Sequence, residues 1–159
     1  MSLYIAYGSN LNLKQMAHRC PGAKIICKGR IKNYTLVYRG SKTGAYATII
    51  PQTGKVVPVV VWEINAEHER RLDAYEGYPT FYYKKNLYVT SEDGRRFYAM
   101  AYIMFDEAKV GRPSEAYLEV CRQGYFDNGL DIKKFNASIQ RNINELKQKN
   151  GGIIYAGRK

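Results

Sequence analysis

Apolar residues in the first two-thirds of this chain come in short runs cut by Gly, Pro, Ser and Asn, whereas the last third carries them at helical spacing. Residues 3–7 read as a short buried strand, followed by the turn-prone "YGSN" and a helix over "LKQMAHRC" (13–20). Asn10 or Asn12 can cap that helix, and Pro21 and Gly22 end it. Four β-type runs come next: "KIICKGRI", "YTLVYRG", "AYATIIP" and "VVPVVVWEI". Pro58 inside the fourth predicts an edge, a bulge or a strand start there. Asn65 opens a helix with Glu67 and Glu69 near its positive end and Leu72 and Tyr75 on a common face; Gly77 and Pro79 stop it.

Two longer strands, "FYYKKNLYVTS" and "RRFYAMAYIMF", flank the hairpin turn "EDG". Both faces of the second are apolar or aromatic, which predicts a sheet curled on itself with an interior and a helix-covered exterior. Pro113 suits the first turn of a helix over "PSEAYLEVCRQGYF", which Asn128 and Gly129 end. Asp131 opens the last helix, where Ile132, Phe135, Ile139, Ile143 and Leu146 form one stripe. The tail "NGGIIYAGRK" has no period; Ile153, Ile154 and Tyr155 are expected to dock on the body or on a second subunit, which leaves a homodimer open. With no repeat, linker or low-complexity tract, residues 1–159 are expected to form a single domain, with 150–159 a flexible or docking tail.

Composition changes this picture in two places. Lys and Arg number 25 against 14 Asp and Glu, a formal net charge of +11, and fifteen tyrosines accompany them. Such a mixture serves nucleic acid, through phosphates and stacked bases, or draws small anionic substrates by its long-range field. The cations are spread along the whole chain and no RRM, KH or zinc-finger signature is present, which argues against nucleic acid. Three cysteines, Cys20, Cys27 and Cys121, lack CxxC spacing and fit a reducing compartment better than a disulfide frame or structural zinc. The N-terminus shows no secretory pattern and no apolar run is long enough to span a membrane, so a cytoplasmic location is expected.

Few residues can carry chemistry. His18 and His68 lie on separate predicted helices without an HExxH or acidic cluster, so they are expected to be solvated and no metal site is expected. Ser9 lacks a GxSxG elbow, and "YGSN" has too few glycines for a dinucleotide fingerprint. One carboxylate stands apart. In "LDAYEGYP", Glu76 occupies a helix C-terminus, where the dipole is negative, among Tyr75, Tyr78, Phe81, Tyr82 and Tyr83. Aromatic burial and that dipole would both raise its pKa toward the range a general acid or base needs. Taken alone, Glu76 still reads more readily as an exposed helix-end residue.

"YIAYGSNLN", "AYATIIP", "VVVWEI", "LDAYEGYP" and "PSEAYLEVCRQGYFDNGL", in this order, resemble the γ-glutamylcyclotransferase family over residues 3 to 130. The resemblance implies an α+β fold: a small mixed, closed or nearly closed β-barrel of 5–7 strands flanked by helices, with a pocket where the YGSN loop faces Glu76. It implies an enzyme that needs no cofactor and takes a small γ-glutamyl substrate, whose α-amine attacks its own γ-carbonyl to give 5-oxoproline and a free amino acid or amine. Glu76 would be the base and then the acid. The 7–11 segment (Tyr7, Gly8, Ser9, Asn10 and Leu11) would bind substrate through open backbone N–H groups and short donors, and a turn that only reverses the chain and caps a helix is the other reading. Tyr102 and Tyr117 are carried over as pocket tyrosines, with core packing as the alternative for each, and Asp73 as support. Where relatives usually carry Gly-Val-Val or Gly-Val-Leu before the strand's aromatic residue, this chain has Val59 preceded by Pro58. The competing expectation is a small-ligand or basic RNA-associated module on the same fold, without turnover.

Overall fold

The computed structural model describes residues 1–41 and 44–158, with side chains described for 1–40 and 44–149. Six strands are present: β1 (Ser2–Ala6), β2 (Lys24–Ser41), β3 (Gly44–Ile64), β4 (Tyr82–Ser91), β5 (Arg96–Met104) and β6 (Lys109–Val110). Their order is β3-β1-β5-β4-β2-β6, and β2 also pairs with β3, so the first five close into a barrel with β6 added along β2. β1 and β5 run parallel and the other pairs antiparallel. Closure leaves a dry interior filled by Ile5, Ile31, Val57, Val59, Val61, Val89 and Ala101, each no more than 2 % exposed.

The four β-type runs between residues 24 and 64 are two long strands. Their pairing continues through the breaks that the sequence suggested, from Lys24↔Glu63 to Ser41↔Gly44. At the middle the register jumps: Lys32 faces Val56 and Tyr34 faces Pro51, so Asn33 alone lies opposite residues 52–55. Asn33 takes a positive φ of 64° and its side chain accepts a hydrogen bond from the Gly54 N–H at 3.0 Å. The turn chemistry of "KN" and "QTGK" is therefore spent on a bulge that bends the hairpin, which lets its outer half reach past the barrel. Pro58 falls just before β1 joins β3 at Val60, where β3 has β2 alone beside it. Val59 is fully buried opposite Gly29 and leaves the strand continuous.

Four helices, α1 (Leu13–Arg19), α2 (Ala66–Glu76), α3 (Glu115–Asp127) and α4 (Ile132–Arg158), surround the barrel. Asn12 caps α1, accepting from Gln15 N–H at 3.0 Å, and Asn10 is used elsewhere. At α2, Asn65 and His68 form a reciprocal capping box, and the His68 ring also meets the Pro21 carbonyl at 2.6 Å. His68 is therefore buried, not solvated as the sequence suggested; the two partners of its ring, the Asn65 N–H and the Pro21 carbonyl, give an imidazole a reason to leave water. His18 is exposed. The cap of α3 is Ser114, one residue beyond the expected Pro113 start. The α4 stripe centres on the fully buried Phe135, and the helix is pinned to β2 by Tyr38–Ser138, Arg39–Glu145 and Arg141–Leu36 contacts. The tail residues Ile153, Ile154 and Tyr155 lie outside the described side chains. Among the described residues, no helix is long and apolar enough to cross a membrane.

Candidate active site

The C-terminus of α2 is built to present Glu76. Gly77 adopts φ 66°, its N–H meets the Ala74 carbonyl and the Tyr78 N–H reaches Asp73 O at 3.0 Å, the two bonds of a Schellman turn. Glu76, the last residue of that helix, lines a cavity together with Tyr4 and Ile5 of β1. Tyr75, beside it, is half exposed.

Across the gap lies the segment after β1. Ser9–Leu11 is a single 3-10 turn, closed by Leu11 N–H to Gly8 O and Asn12 N–H to Ser9 O, both 3.1 Å. The N–H groups of Ser9 and Asn10 precede those donors and close no bond of the turn. Gly8 fits because a methyl there would lie 3.2 Å from Ala47 Cβ and 3.3 Å from the Tyr117 hydroxyl. The turn is backed by α3: Asn128 donates to Leu11 O at 2.7 Å, and Asn12 Nδ2 donates to Val120 O at 3.1 Å.

Between turn and helix end is a cavity of about 440 Å³. It brings together Glu76, Tyr7, Gly8, Ser9, Asn10, Tyr102 and Tyr117, seven of the eight residues singled out from the sequence. Leu11 is the exception: it is fully buried behind the turn and does not line the cavity. The remaining wall is mainly aromatic, with Tyr4, Tyr46, Tyr75, Phe81 and Tyr82 beside Ile5, Ala47, Ala74 and Gly77.

Four of the wall tyrosines are held by defined partners. Tyr7 donates to the Tyr102 carbonyl at 2.5 Å, and Tyr102 donates to Asp73 Oδ1 at 2.6 Å. Asp73 is in turn paired with Lys84 Nζ at 3.0 Å, and Lys84 also meets Glu69 at 2.6 Å. Tyr117 accepts from Ala47 N–H at 3.0 Å, while Tyr82 donates to Ala47 O at 2.8 Å. Burial pushes the phenols of Tyr4, Tyr7, Tyr82, Tyr102 and Tyr117 well above their ordinary range, so all five stay neutral donors at physiological pH.

Glu76 is the one acidic side chain on this wall. Burial pushes its pKa up to about 7, against a smaller opposing pull from the Arg19 guanidinium. The carboxyl stays exchangeable with a ligand, since the residue keeps partial access to the cavity. Among the described residues no group of three or more His, Cys, Asp or Glu is placed to hold a metal ion.

Tyr46 and Arg19 escaped the sequence reading, and Phe81 and Tyr82 were read only as neighbours of Glu76. Tyr46, from the outer half of the β2–β3 hairpin, and Tyr82, from β4, meet at the pocket only in the folded chain. Phe81 and Tyr82 stood beside Glu76 in the sequence as a signal, but tyrosines are too many here for adjacency to select among them.

Comparison with known proteins agrees with this geometry. Residues 4–121 match the family model described as "Gamma-glutamyl cyclotransferase, AIG2-like". The chain belongs to that γ-glutamylcyclotransferase family. It is similar to "Gamma-glutamylcyclotransferase" of Homo sapiens, at 31 % identity over 82 % of this chain and 73 % of the relative. The Bos taurus protein of the same name is 32 % identical over 88 % and 79 %. A solved structure named "Gamma-glutamyl cyclotransferase" superposes with TM-score 0.77 at 29 % identity, covering 86 % of this chain and 85 % of that one. The barrel of five strands with a sixth alongside and four helices is the family fold.

Proposed function

We propose that this cyclotransferase converts a small γ-glutamyl compound to 5-oxoproline and a free amino acid or amine, with Glu76 moving the protons. The observation that carries the reading is one carboxyl, tuned to about 7, in an aromatic cavity opposite the Ser9–Leu11 turn. A γ-glutamyl α-ammonium ionises at about 8 or higher, so proton transfer to a group at about 7 is uphill by far less than transfer to an ordinary carboxylate. The freed amine attacks the γ-carbonyl carbon; a C–N bond forms, and negative charge moves to the carbonyl oxygen. Collapse breaks the original C–N bond and Glu76 returns a proton to the departing nitrogen. In total the α-ammonium gives up two protons in becoming the lactam N–H, and the released nitrogen gains two and leaves as an ammonium.

The other groups serve position and charge. The N–H groups of Ser9 and Asn10 receive a negative oxygen of the substrate, either its α-carboxylate or the developing oxyanion. Neutral Tyr102 and Tyr117 shape the wall against which the glutamyl chain folds back, and holding it near the attack geometry supplies the intramolecular advantage.

Glu76→Gln keeps the shape of the side chain and removes the base. Purified wild-type and variant proteins, offered a panel of γ-glutamyl amino acids and amines, test the reading by 5-oxoproline release. The variant is expected to fold and to lose about 10²-fold or more in kcat/KM. Wild-type kcat/KM is expected to fall as pH drops below about 7, because the free enzyme's base becomes protonated. Turnover by the variant within a few-fold of wild type, or no 5-oxoproline from the wild type with any compound, would sink the assignment; binding without turnover would favour a ligand-binding role.

A further inference from the structure

We propose that Arg19 is a positioning residue that clamps the Ser9–Leu11 turn onto the helix carrying Glu76. The proposal rests on the role given to Glu76 above. Arg19 is the last residue of α1, and its guanidinium is engaged from two sides. Its Nη1 donates to Asn10 Oδ1, and its Cζ lies 3.5 Å from the centre of the Tyr75 ring. The Tyr75 hydroxyl meets Ser9 Oγ at 3.3 Å, and Asn10 Nδ2 donates to the Tyr4 hydroxyl at 2.8 Å. Arg19, Asn10, Ser9 and Tyr75 thus form a closed circuit between α1, the turn and α2.

Its member on α2, Tyr75, is not part of the buried core. Tyr75 is 45 % exposed, and α2 is already anchored by the buried Leu72 and the His68 box. A surface tyrosine stacked on an arginine beside the cavity does fix the spacing between the turn's N–H groups and the Glu76 carboxyl. That spacing decides whether a folded γ-glutamyl chain can touch both at once. The planar guanidinium suits the task because it can stack and donate in plane together, which an ammonium cannot do.

The clamp also carries charge. Tyr75 on α2 shares the cavity with Glu76, as do Tyr4 and Tyr7 from the β1 segment, Tyr82 from β4, Tyr102 from β5 and Tyr117 from α3, and burial keeps these last five phenols neutral. Arg19 is the charged group that acts on the carboxyl, and it favours the ionised form. Removing Arg19 should therefore raise the pH at which Glu76 titrates, and the acidic limb of kcat/KM should move up with it.

The test compares Arg19→Met and Arg19→Lys with the wild type. Arg19→Met is expected to lose about tenfold or more in kcat/KM and to move the acidic limb to higher pH. Arg19→Lys keeps the charge, so its limb should return near the wild-type position while kcat/KM recovers only in part. Circular dichroism and thermal unfolding establish that both variants are folded. A folded Arg19→Met with wild-type kcat/KM and limb overturns the proposal, and so does a loss of activity with the limb unmoved that only follows a fall in Tm. A ¹³C NMR titration of the Glu76 carboxyl in wild type and Arg19→Met reports the same shift without turnover. If the wild type proves inactive on every γ-glutamyl compound, the functional reading fails; the NMR titration and the Ser9 and Asn10 amide shifts still judge the clamp. Unchanged Glu76 titration and unchanged turn amides in Arg19→Met would reject it.

Discussion

Glu76 and Gly8 face each other across the cavity and are constrained in opposite ways. Glu76 needs its charge to be disfavoured, and Gly8 needs an absent side chain. A methyl at position 8 would press on Ala47 Cβ and on the Tyr117 hydroxyl, which is bonded to Ala47 N–H. Tyr117 is held within α3 and cannot retreat far, so Gly8→Ala should shift the turn rather than the wall. The expected result is a folded protein with kcat/KM reduced about tenfold to hundredfold, since displacements near an ångström at a reacting centre have effects of that size. Wild-type kinetics in Gly8→Ala would show that the pocket absorbs the methyl and that the close fit is incidental. Both residues could be read from the sequence. The carboxylate at a helix C-terminus among aromatics violates local preference, as residues at sites of function often do, whereas the glycine after a strand is ordinary turn chemistry; the family resemblance singled out both. Arg19 violates nothing: a basic residue in the last turn of a helix is ordinary, and only coordinates reveal that it stacks on Tyr75.

At the scale of elements, the site depends on how closely α3 approaches the turn. Gly124 makes that approach. A Cβ there would lie 2.6 Å from Leu11 Cβ and 2.7 Å from Asn12 N and Leu11 C, two of which are backbone atoms that cannot rotate away. Helix propensity favours alanine over glycine by about 1 kcal/mol, so an isolated α3 would gain from Gly124→Ala. Against this, overpacking costs about 1–3 kcal/mol, and here the collision also strains the Asn128–Leu11 and Asn12–Val120 bonds. The expected outcome is a lower Tm together with impaired 5-oxoproline release. A higher Tm would mean that α3 stands farther from the turn than these distances state. The helices themselves were legible in the sequence because their caps are local: Asn12, Asn65 and the Asn128–Gly129 stop each act within a few residues. The hairpin was not. "KN" and "QTGK" carry ordinary turn chemistry, and only the partner strand decides whether Asn33 and Gly54 close a loop or pin a bulge. Tyr46 and Ala47 come from the outer half of that hairpin, so the part of the wall they build stayed hidden with it.

For the whole molecule, the tuned carboxyl has a thermodynamic consequence that does not require turnover. Glu76 titrates at about 7 in the folded chain, against an ordinary value of 4.5 once the chain unfolds. Between those pH values the folded state binds the extra proton, so stability falls as pH rises through the interval and levels off above it. Below about 4.5 the group is protonated in both states and contributes no difference. The cost at pH 8 is at most about 3 kcal/mol, at 1.36 kcal/mol for each tenfold change in proton affinity, and the open side of the cavity reduces it. Glu76→Gln removes the buried charge and should therefore melt a few degrees above the wild type at pH 8, with the gain shrinking to nothing near pH 4.5. The sign separates a functional carboxylate from a structural one. A glutamate that stabilised the fold through an ion pair would have a lowered pKa, and its replacement would cost stability at pH 8 instead of adding it. Thermal unfolding of the two proteins at both pH values decides the matter: a variant that melts lower at pH 8, or that gains equally at pH 4.5, would place the acid in solvent or in a salt bridge and remove the physical basis for its proton shuttle.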